Sequence, residues 1–172
     1  TGYLMKKVLM EEISLRNFLK ETKQSESKSS VLHNEELAIN VSKKIACLIF
    51  NSALIEFGQD LKHEQQLSEG LADIFINIYV AESVLLRVRK SISIDNKHQI
   101  HITFGEVLIE ELLQEIKSIT PKCVNRIIRS SNSDKIRNSV NYLESLITLE
   151  KDIITLKDEV AEFMYKQKRY PF

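Results

Sequence analysis

The chain has 172 residues, of which 43% are apolar and 28% charged, and this composition excludes a wholly disordered protein. It carries 24 basic and 24 acidic residues, so its formal net charge is zero and no overall field draws it to nucleic acid or an anionic membrane. Four Gly and two Pro leave few helix breakers, which predicts long helices joined by few turns.

The two cysteines and the lengths of the apolar runs indicate the cellular compartment of the protein. Cys47 and Cys123 lack a metal-type spacing, and each falls within an apolar helical pattern where a free thiol acts as a small hydrophobe. No run approaches the roughly 18 to 20 apolar residues that span a bilayer, and no basic start leads into a signal-type core. We therefore expect a cytoplasmic protein in a reducing compartment. Its start at Thr1 without Met suggests a piece of a longer polypeptide.

The N-terminal part divides into two segments. Residues 3–13 place apolar side chains near one face and Lys and Glu on the other, which predicts a short amphipathic helix that docks on something. Lys20 to Ser30 contains no apolar residue, and its composition is typical of a mobile linker. We expect residues 1–33 to be a docking helix with a linker and residues 34–172 to be one helical domain.

Asn34 is a candidate cap for a helix that runs to about Leu61 with apolar residues at helical spacing. Gly58, or the polar residues 59–66, permits a reversal into a second helix, Leu67 to Lys90. The two helices are predicted to form an antiparallel hairpin.

Leu67 to Lys90 is the predicted central helix. Between Ile74 and Ala81 it is apolar almost all round, with Asn77 as its only polar residue, and such a helix is expected to be enclosed. Its basic residues near the C-terminus complement the helix dipole: Arg87, Arg89 and Lys90.

A third helix is predicted from Ile100 to Ile119, and Pro121 should kink it or end it before helical spacing resumes. Ser133 is a candidate cap for a helix from Asp134 to about Leu149, and Thr155 for a last one. The pattern as a whole predicts an all-α, up-and-down antiparallel helical bundle with long central helices.

Two carboxylate-x-x-His pairs mimic those of di-iron helical bundles: Asp60 with His63, and Asp95 with His98. Both pairs lie at predicted helix ends, the carboxylate is Asp rather than Glu, and the further inward Glu residues of such a site are not evident. We interpret them as exposed turn residues. His98 and His101 share a face but lack a third ligand, which is typical of exposed or structural histidines.

Other polar groups also have plain interpretations. Glu110, Glu111 and Glu115 fit the wet face of an amphipathic helix, and Asp73 with Asn77 fits a hydrogen bond between helices. The basic cluster at the end of the central helix could contact a ligand phosphate or an anionic lipid, although the helix dipole already explains it. No nucleophile set and no Gly-rich phosphate loop is present in the sequence. The sequence assigns no catalytic, cofactor-binding or metal residue.

The central helix contains a series of short motifs: Leu71-Ala72-Asp73, Ile78-Tyr79, Val84-Leu85, Arg87 and Ser91. In these residues it resembles the acyl-CoA dehydrogenases, specifically the very-long-chain type, which carries an extra α-helical domain after its flavin-binding core. Three other segments are similar to the family and extend the likeness to about two thirds of the chain: KIACLIFNSALIEFGQDL, the opening LMKKVLMEE and the closing KQKRYPF.

The resemblance implies the C-terminal domain of a flavoenzyme that oxidises long-chain acyl-CoA in fatty-acid β-oxidation. In the family a carboxylate removes the α-proton while FAD takes the β-hydride, but those residues lie in the core, so FAD is expected in the parent protein and not in this fragment. The expected partners are the catalytic core of the same polypeptide and a second copy in a homodimer. Family members also have a membrane-associated segment near this region, where Lys20 to Ser30 is polar and short.

Two alternatives stay open. One is an independent helical module that binds a protein partner or a membrane surface through its amphipathic helices, and the other is a metal-binding bundle. For any docked partner, the first place to look is the apolar face of residues 3–13, because a large exposed apolar patch usually marks an interface.

Overall fold

The computed structural model describes residues 31–94, 99–131, 134–147 and 151–167, and all regular structure in these ranges is helical. In chain order the elements are α1 (His33–Phe57), a 3₁₀ helix (Gly58–His63), α2 (Gln65–Ile94), α3 (Gln99–Ser131), α4 (Lys135–Glu144) and α5 (Ile153–Gln167). The predicted all-α bundle is confirmed. The predicted helix at 3–13, the linker at 20–30 and the division at residue 33 fall wholly or partly outside the described residues.

Helices α1 and α2 form the predicted antiparallel hairpin, which reverses through the 3₁₀ helix. Three side-chain pairs join them, each seven residues or two turns from the next: Arg89 with Glu36 at 2.7 Å, Lys43 with Glu82 at 2.6 Å, and Phe50 with Phe75 at 6.2 Å between ring centroids. The regular spacing fixes the register of α1 on α2 along most of their length.

Helices α2 and α3 approach each other closely at two glycines. A Cβ atom at Gly70 would lie 2.8 Å from Sγ of Cys123, and one at Gly105 would lie 2.8 Å from Cγ2 of Val88. Real Cβ contacts are longer, so a larger residue at either position would force the facing side chain or the helix itself to shift. Each helix thus receives a side chain of the other near its own N-terminus, which makes the pair antiparallel.

The core lies where α1, α2, α3 and α4 meet. Its largest fully enclosed apolar side chains are Ile39, Ile45, Ile49, Ile74, Ile109 and Leu143. Helix α4 is short, but its buried residues belong to the same apolar cluster, so it closes one side of the bundle. Helix α5 packs against α3.

Two predicted caps are wrong. Helix α1 begins at His33 and not after Asn34, because the preceding Leu32 adopts a left-handed backbone conformation (φ 60°) and buries its side chain in the core. Helix α5 is capped by Asp152 and not by Thr155, since the Asp152 carboxylate accepts the backbone N–H groups of residues 154 and 155 at 3.1 and 3.3 Å.

The third helix does not end at Pro121, and α3 runs unbroken through it for 33 residues. Packing explains this, because Cys123, Val124 and Ile127 lie buried beyond the proline and hold the helix against its neighbours. The kink stays a prediction. Helix α4 ends at Glu144, before the predicted Leu149.

One helical stretch, His33–His63, is long and apolar enough to cross a membrane, with a mean hydropathy of 1.3 over its best window. The sequence expectation that no run approaches this is therefore too strong. Because 44% of that window is buried inside the bundle, the core helix of a soluble protein accounts for it equally well.

Candidate docking surface

Only one of the two metal-type pairs lies within the described residues. Asp60 and His63 are exposed on the 3₁₀ helix, as expected for turn residues, while Asp95 and His98 lie outside the described residues. His101 is buried, and its Nδ1 atom lies 2.6 Å from the Ser91 hydroxyl, so it joins α3 to the end of α2. Within the described ranges, no three His, Cys, Asp or Glu side chains are arranged to hold a metal ion.

The two cysteines differ in their surroundings. Cys123 is buried against Gly70 and acts as the predicted small hydrophobe, whereas Cys47 is exposed, contrary to expectation. Desolvation raises the pKa of both thiols, at the buried Cys123 and also at Cys47, where the neighbouring helix surface removes part of the water around an otherwise exposed residue. Neither thiol therefore has the electropositive setting that activates a nucleophile.

One residue of the basic cluster, Arg89, joins the central helix to α1. Arg89 donates two hydrogen bonds to the carboxylate of Glu36, at 2.7 and 3.1 Å, and one to the carbonyl of Val31. The hydrogen bonds lower the pKa of Glu36 and raise that of Arg89. Because α2 continues to Ile94, with no basic residue in its last turn, this ion pair explains Arg89 better than the helix dipole.

One carboxylate of the predicted wet face is buried. Glu110 is only 6% exposed, whereas Glu111 and Glu115 lie in solvent as predicted. Desolvation by burial raises the pKa of Glu110, against the opposing effects of the Lys151 ammonium and a hydrogen bond from Gln114. The pattern of charges could not show this, because the burial comes from chain segments distant in sequence.

Those segments meet in a cluster of charges, the Lys151 cluster, formed by Lys151, Glu35, Glu106 and Glu110. The Lys151 ammonium binds the carboxylate of Glu35 on α1 and, at 2.7 Å, that of Glu106 on α3. Its side chain is 32% exposed, and those of Glu35 and Glu106 are 10% and 20% exposed. The cluster ties the residues before α5 to the body of the bundle.

Glu110→Gln is expected to stabilise the domain by about 1 kcal/mol at neutral pH, because it removes a buried charge that keeps only partial compensation. A folded-state pKa above the unfolded one means that Glu110 stabilises the fold when protonated, and that this contribution is lost as pH rises through the folded pKa. The gain should therefore shrink towards zero when thermal unfolding is measured near pH 4. Glu111→Gln is the matched exposed control, and an equal shift in both variants would contradict the prediction.

An open cleft of about 620 Å³ lies between the start of α2 and the second half of α3. The Arg126 guanidinium on its wall donates to Glu64 at 2.7 Å and lies 5.0 Å from the centre of the Phe57 ring. Lys122 and Glu69 add one charge of each sign. With its charges balanced and its arginine engaged, the cleft selects no class of ligand.

The central helix is not enclosed on all sides, contrary to prediction. Ile74, Ile78 and Ala81 are buried, but apolar side chains on the outer face lie open: Ile76 (57% exposed), Tyr79 (72%), Val80 (39%) and Leu86 (60%). Phe75 is 42% exposed beside them, although its ring packs edge-on against Phe50 of α1. Asn77 is buried and Asp73 exposed, so these two residues do not share an environment. A single helix therefore has one apolar face inside the bundle and another outside it.

The outer face has a regular geometry. Six exposed residues follow one another at alternating spacings of four and three, a pattern that lines up on one side of a helix, and together they form the α2 stripe: Ala72, Ile76, Tyr79, Ser83, Leu86 and Lys90. Phe75 and Val80 flank it. A seam of this kind is suited to packing against another helix or an apolar groove.

Three comparisons with known proteins each give a match. The model of the acyl-CoA dehydrogenase C-terminal domain matches residues 41–144. The probable acyl-CoA dehydrogenase of Bacillus subtilis (strain 168) is 26% identical over 145 residues, which are 83% of this chain and 24% of that protein. The crystal structure of acyl-CoA dehydrogenase complexed with FAD from Bacillus anthracis superposes with a TM-score of 0.78 at 25% identity, and the match covers 99% of this chain and 30% of that one.

Proposed function

The chain belongs to the acyl-CoA dehydrogenase family, as its C-terminal domain, and we propose that it is the assembly and stability domain of a flavin-dependent enzyme of fatty-acid β-oxidation. The enzyme is of the very-long-chain type, cytoplasmic and homodimeric. FAD and the reacting acyl-CoA are held by the rest of the polypeptide, and this fragment supplies no catalytic residue.

One observation carries the proposal. Nearly the whole chain superposes on an FAD-bound acyl-CoA dehydrogenase, yet it corresponds to only 30% of that protein. The chain thus spans about a quarter to a third of the length of the relatives it matches. The remaining length is ample for a flavin-binding catalytic unit, and the described helices are joined by packing and ion pairs that suit a structural role.

The α2 stripe also favours a second candidate. An independent helical module that binds a protein partner would need an exposed apolar face of this kind, whatever its gene encodes elsewhere. The two candidates differ in whether residues outside this chain bind flavin.

The proposal is tested by expressing the protein from its complete native reading frame. The purified product should retain FAD, seen in its visible absorbance, and should oxidise long-chain acyl-CoA with an artificial electron acceptor. Residues 1–172 expressed alone should show neither property. A complete product without flavin would overturn the proposed function, and so would flavin retention or acyl-CoA oxidation by the fragment.

A further inference from the structure

We propose that the α2 stripe is the surface on which this domain docks against the catalytic portion of its own polypeptide. The inference rests on the proposed function, because it needs that portion to exist, and it adds which face of the bundle makes the contact. The stripe runs along the outside of α2, opposite the buried Ile74 and Ile78.

The chemistry of the stripe suits a protein surface. Ile76, Tyr79 and Leu86 form its centre, and all three are more than half exposed, which costs free energy unless another apolar surface covers them. Tyrosine combines a large apolar ring with a hydroxyl that can stay hydrated at the edge of a contact, and it is enriched where protein surfaces meet. Lys90 ends the stripe with a positive charge. The matching surface should be apolar with an acidic group near that end.

The size of the stripe favours an occupant on the same chain. From Ala72 to Lys90 it measures about 27 Å at the helical rise of 1.5 Å per residue, and a helix is about 10 Å wide. The stripe therefore offers roughly 300 Å², whereas a stable complex of separate proteins needs about 800 Å² from each partner. A tethered partner is present at a millimolar effective concentration, so a small contact suffices. A second copy of the chain would have to supply much more area elsewhere.

The geometry of the hairpin allows the stripe to be altered without disturbing the bundle. Its residues face away from the core, and the two ion pairs that join α1 to α2 use Glu82 and Arg89, which are not part of it. Substitutions at Tyr79 or Leu86 therefore change the outer face alone.

The test uses the complete protein with the photo-reactive amino acid p-benzoylphenylalanine in place of Tyr79. After irradiation we expect cross-links within one chain, mapped by mass spectrometry to peptides outside residues 1–172. The same amino acid in place of Tyr165, which is 85% exposed on α5, is the control and should cross-link at least fivefold less. A dimer-sized product, a cross-link confined to residues 1–172, or a yield no higher than the control would each overturn the inference.

A second pair of variants tests the same contact by charge. Ile76→Glu should lower the yield of the cross-link from position 79 at least fivefold, because a carboxylate cannot be buried in an apolar contact without a partner, and the residue one turn further on is Val80 rather than a lysine. Ile154→Glu, at a position that is 75% exposed on α5, should leave the yield unchanged. Equal cross-link yields in both variants would contradict the proposal that the α2 stripe is the docking surface.

The flavin content of the same preparation separates the two proposals. A complete protein that retains FAD but gives no intrachain cross-link from position 79 overturns the docking surface and leaves the proposed function intact. A complete protein without FAD overturns the proposed function, and the docking inference falls with it.

Discussion

Ile74→Ala is expected to lower the free energy of unfolding by about 2–5 kcal/mol, the range measured when a large aliphatic side chain is removed from a packed core. Ile74 is fully buried, at 0% exposure, and lies on the inner face of α2 within the apolar cluster shared by the helices of the bundle. Close neighbours on α1 and α3 limit how far the cavity can collapse. Urea unfolding followed by far-UV circular dichroism measures the loss.

Ile76→Ala is the matched control for that substitution. Ile76 is the same residue type two positions further along the same helix, but its side chain is 57% exposed on the outer face. We expect a change of less than about 0.5 kcal/mol in the isolated domain. Both substitutions raise helix propensity equally, so their difference reports burial alone. Similar losses at the two positions would show that α2 is enclosed after all.

Lys151→Met is expected to lower the free energy of unfolding by about 2–3 kcal/mol. The substitution keeps the length of the side chain but leaves the carboxylates of Glu35 and Glu106 without their cation, next to the buried Glu110. Partial exposure of Lys151 reduces the loss below that of a fully buried pair. Thermal and urea unfolding at neutral pH both measure it.

The control is Lys157→Met, because Lys157 pairs with Glu111 at the surface, where their side chains are 52% and 45% exposed. Exposed pairs contribute little, so we expect a change of at most about 0.5 kcal/mol. The Lys151 effect also has a pH signature. Desolvation lowers the pKa of Lys151, but hydrogen bonds to Glu106 and Glu35 outweigh it and raise the pKa, so its stabilising effect should be fully present below the ordinary lysine pKa of about 10.4 and be lost as pH rises through the higher folded-state pKa. A Lys151→Met effect that vanished near pH 7 would contradict this.

The recurrence of apolar residues every three to four positions was sufficient to predict the helices, because the residues that a helix buries follow from this local spacing. The helices predicted from Asn34 to about Leu61 and from Leu67 to Lys90 both correspond to helices of the structure, and Gly58 lies where the chain reverses. Helix ends were predicted less well, since the start of α1 depends on where Leu32 packs and the length of α3 on what lies buried beyond Pro121. Both depend on contacts between segments distant in the chain.

The same limit explains the two errors that bear on function. A sequence shows that the middle of α2 is apolar all round, but it cannot show whether the bundle alone covers it or whether a docked partner covers the other side. In the structure the bundle covers only the inner half, and the proposed docking accounts for the rest. Glu110 was missed because its burial depends on tertiary packing, and the charges of Lys151 and Glu35 that act on it also come from other parts of the chain.

The two close-approach glycines have a consequence for how the chain can tolerate changes in length. Val88 follows Gly70 by 18 residues, and Cys123 follows Gly105 by 18, which is five turns at 3.6 residues each. Each helix therefore has its glycine and the side chain that it inserts into the other helix on the same side: Gly70 and Val88 on α2, Gly105 and Cys123 on α3. The two contacts are related by a near two-fold axis between the helices. Inserting or deleting one residue inside either interval would rotate Val88 or Cys123 away from the glycine that it faces by about 100°. Added residues between Ile94 and Gln99 would leave both contacts aligned, so length differences among relatives should gather there and be absent from the two intervals.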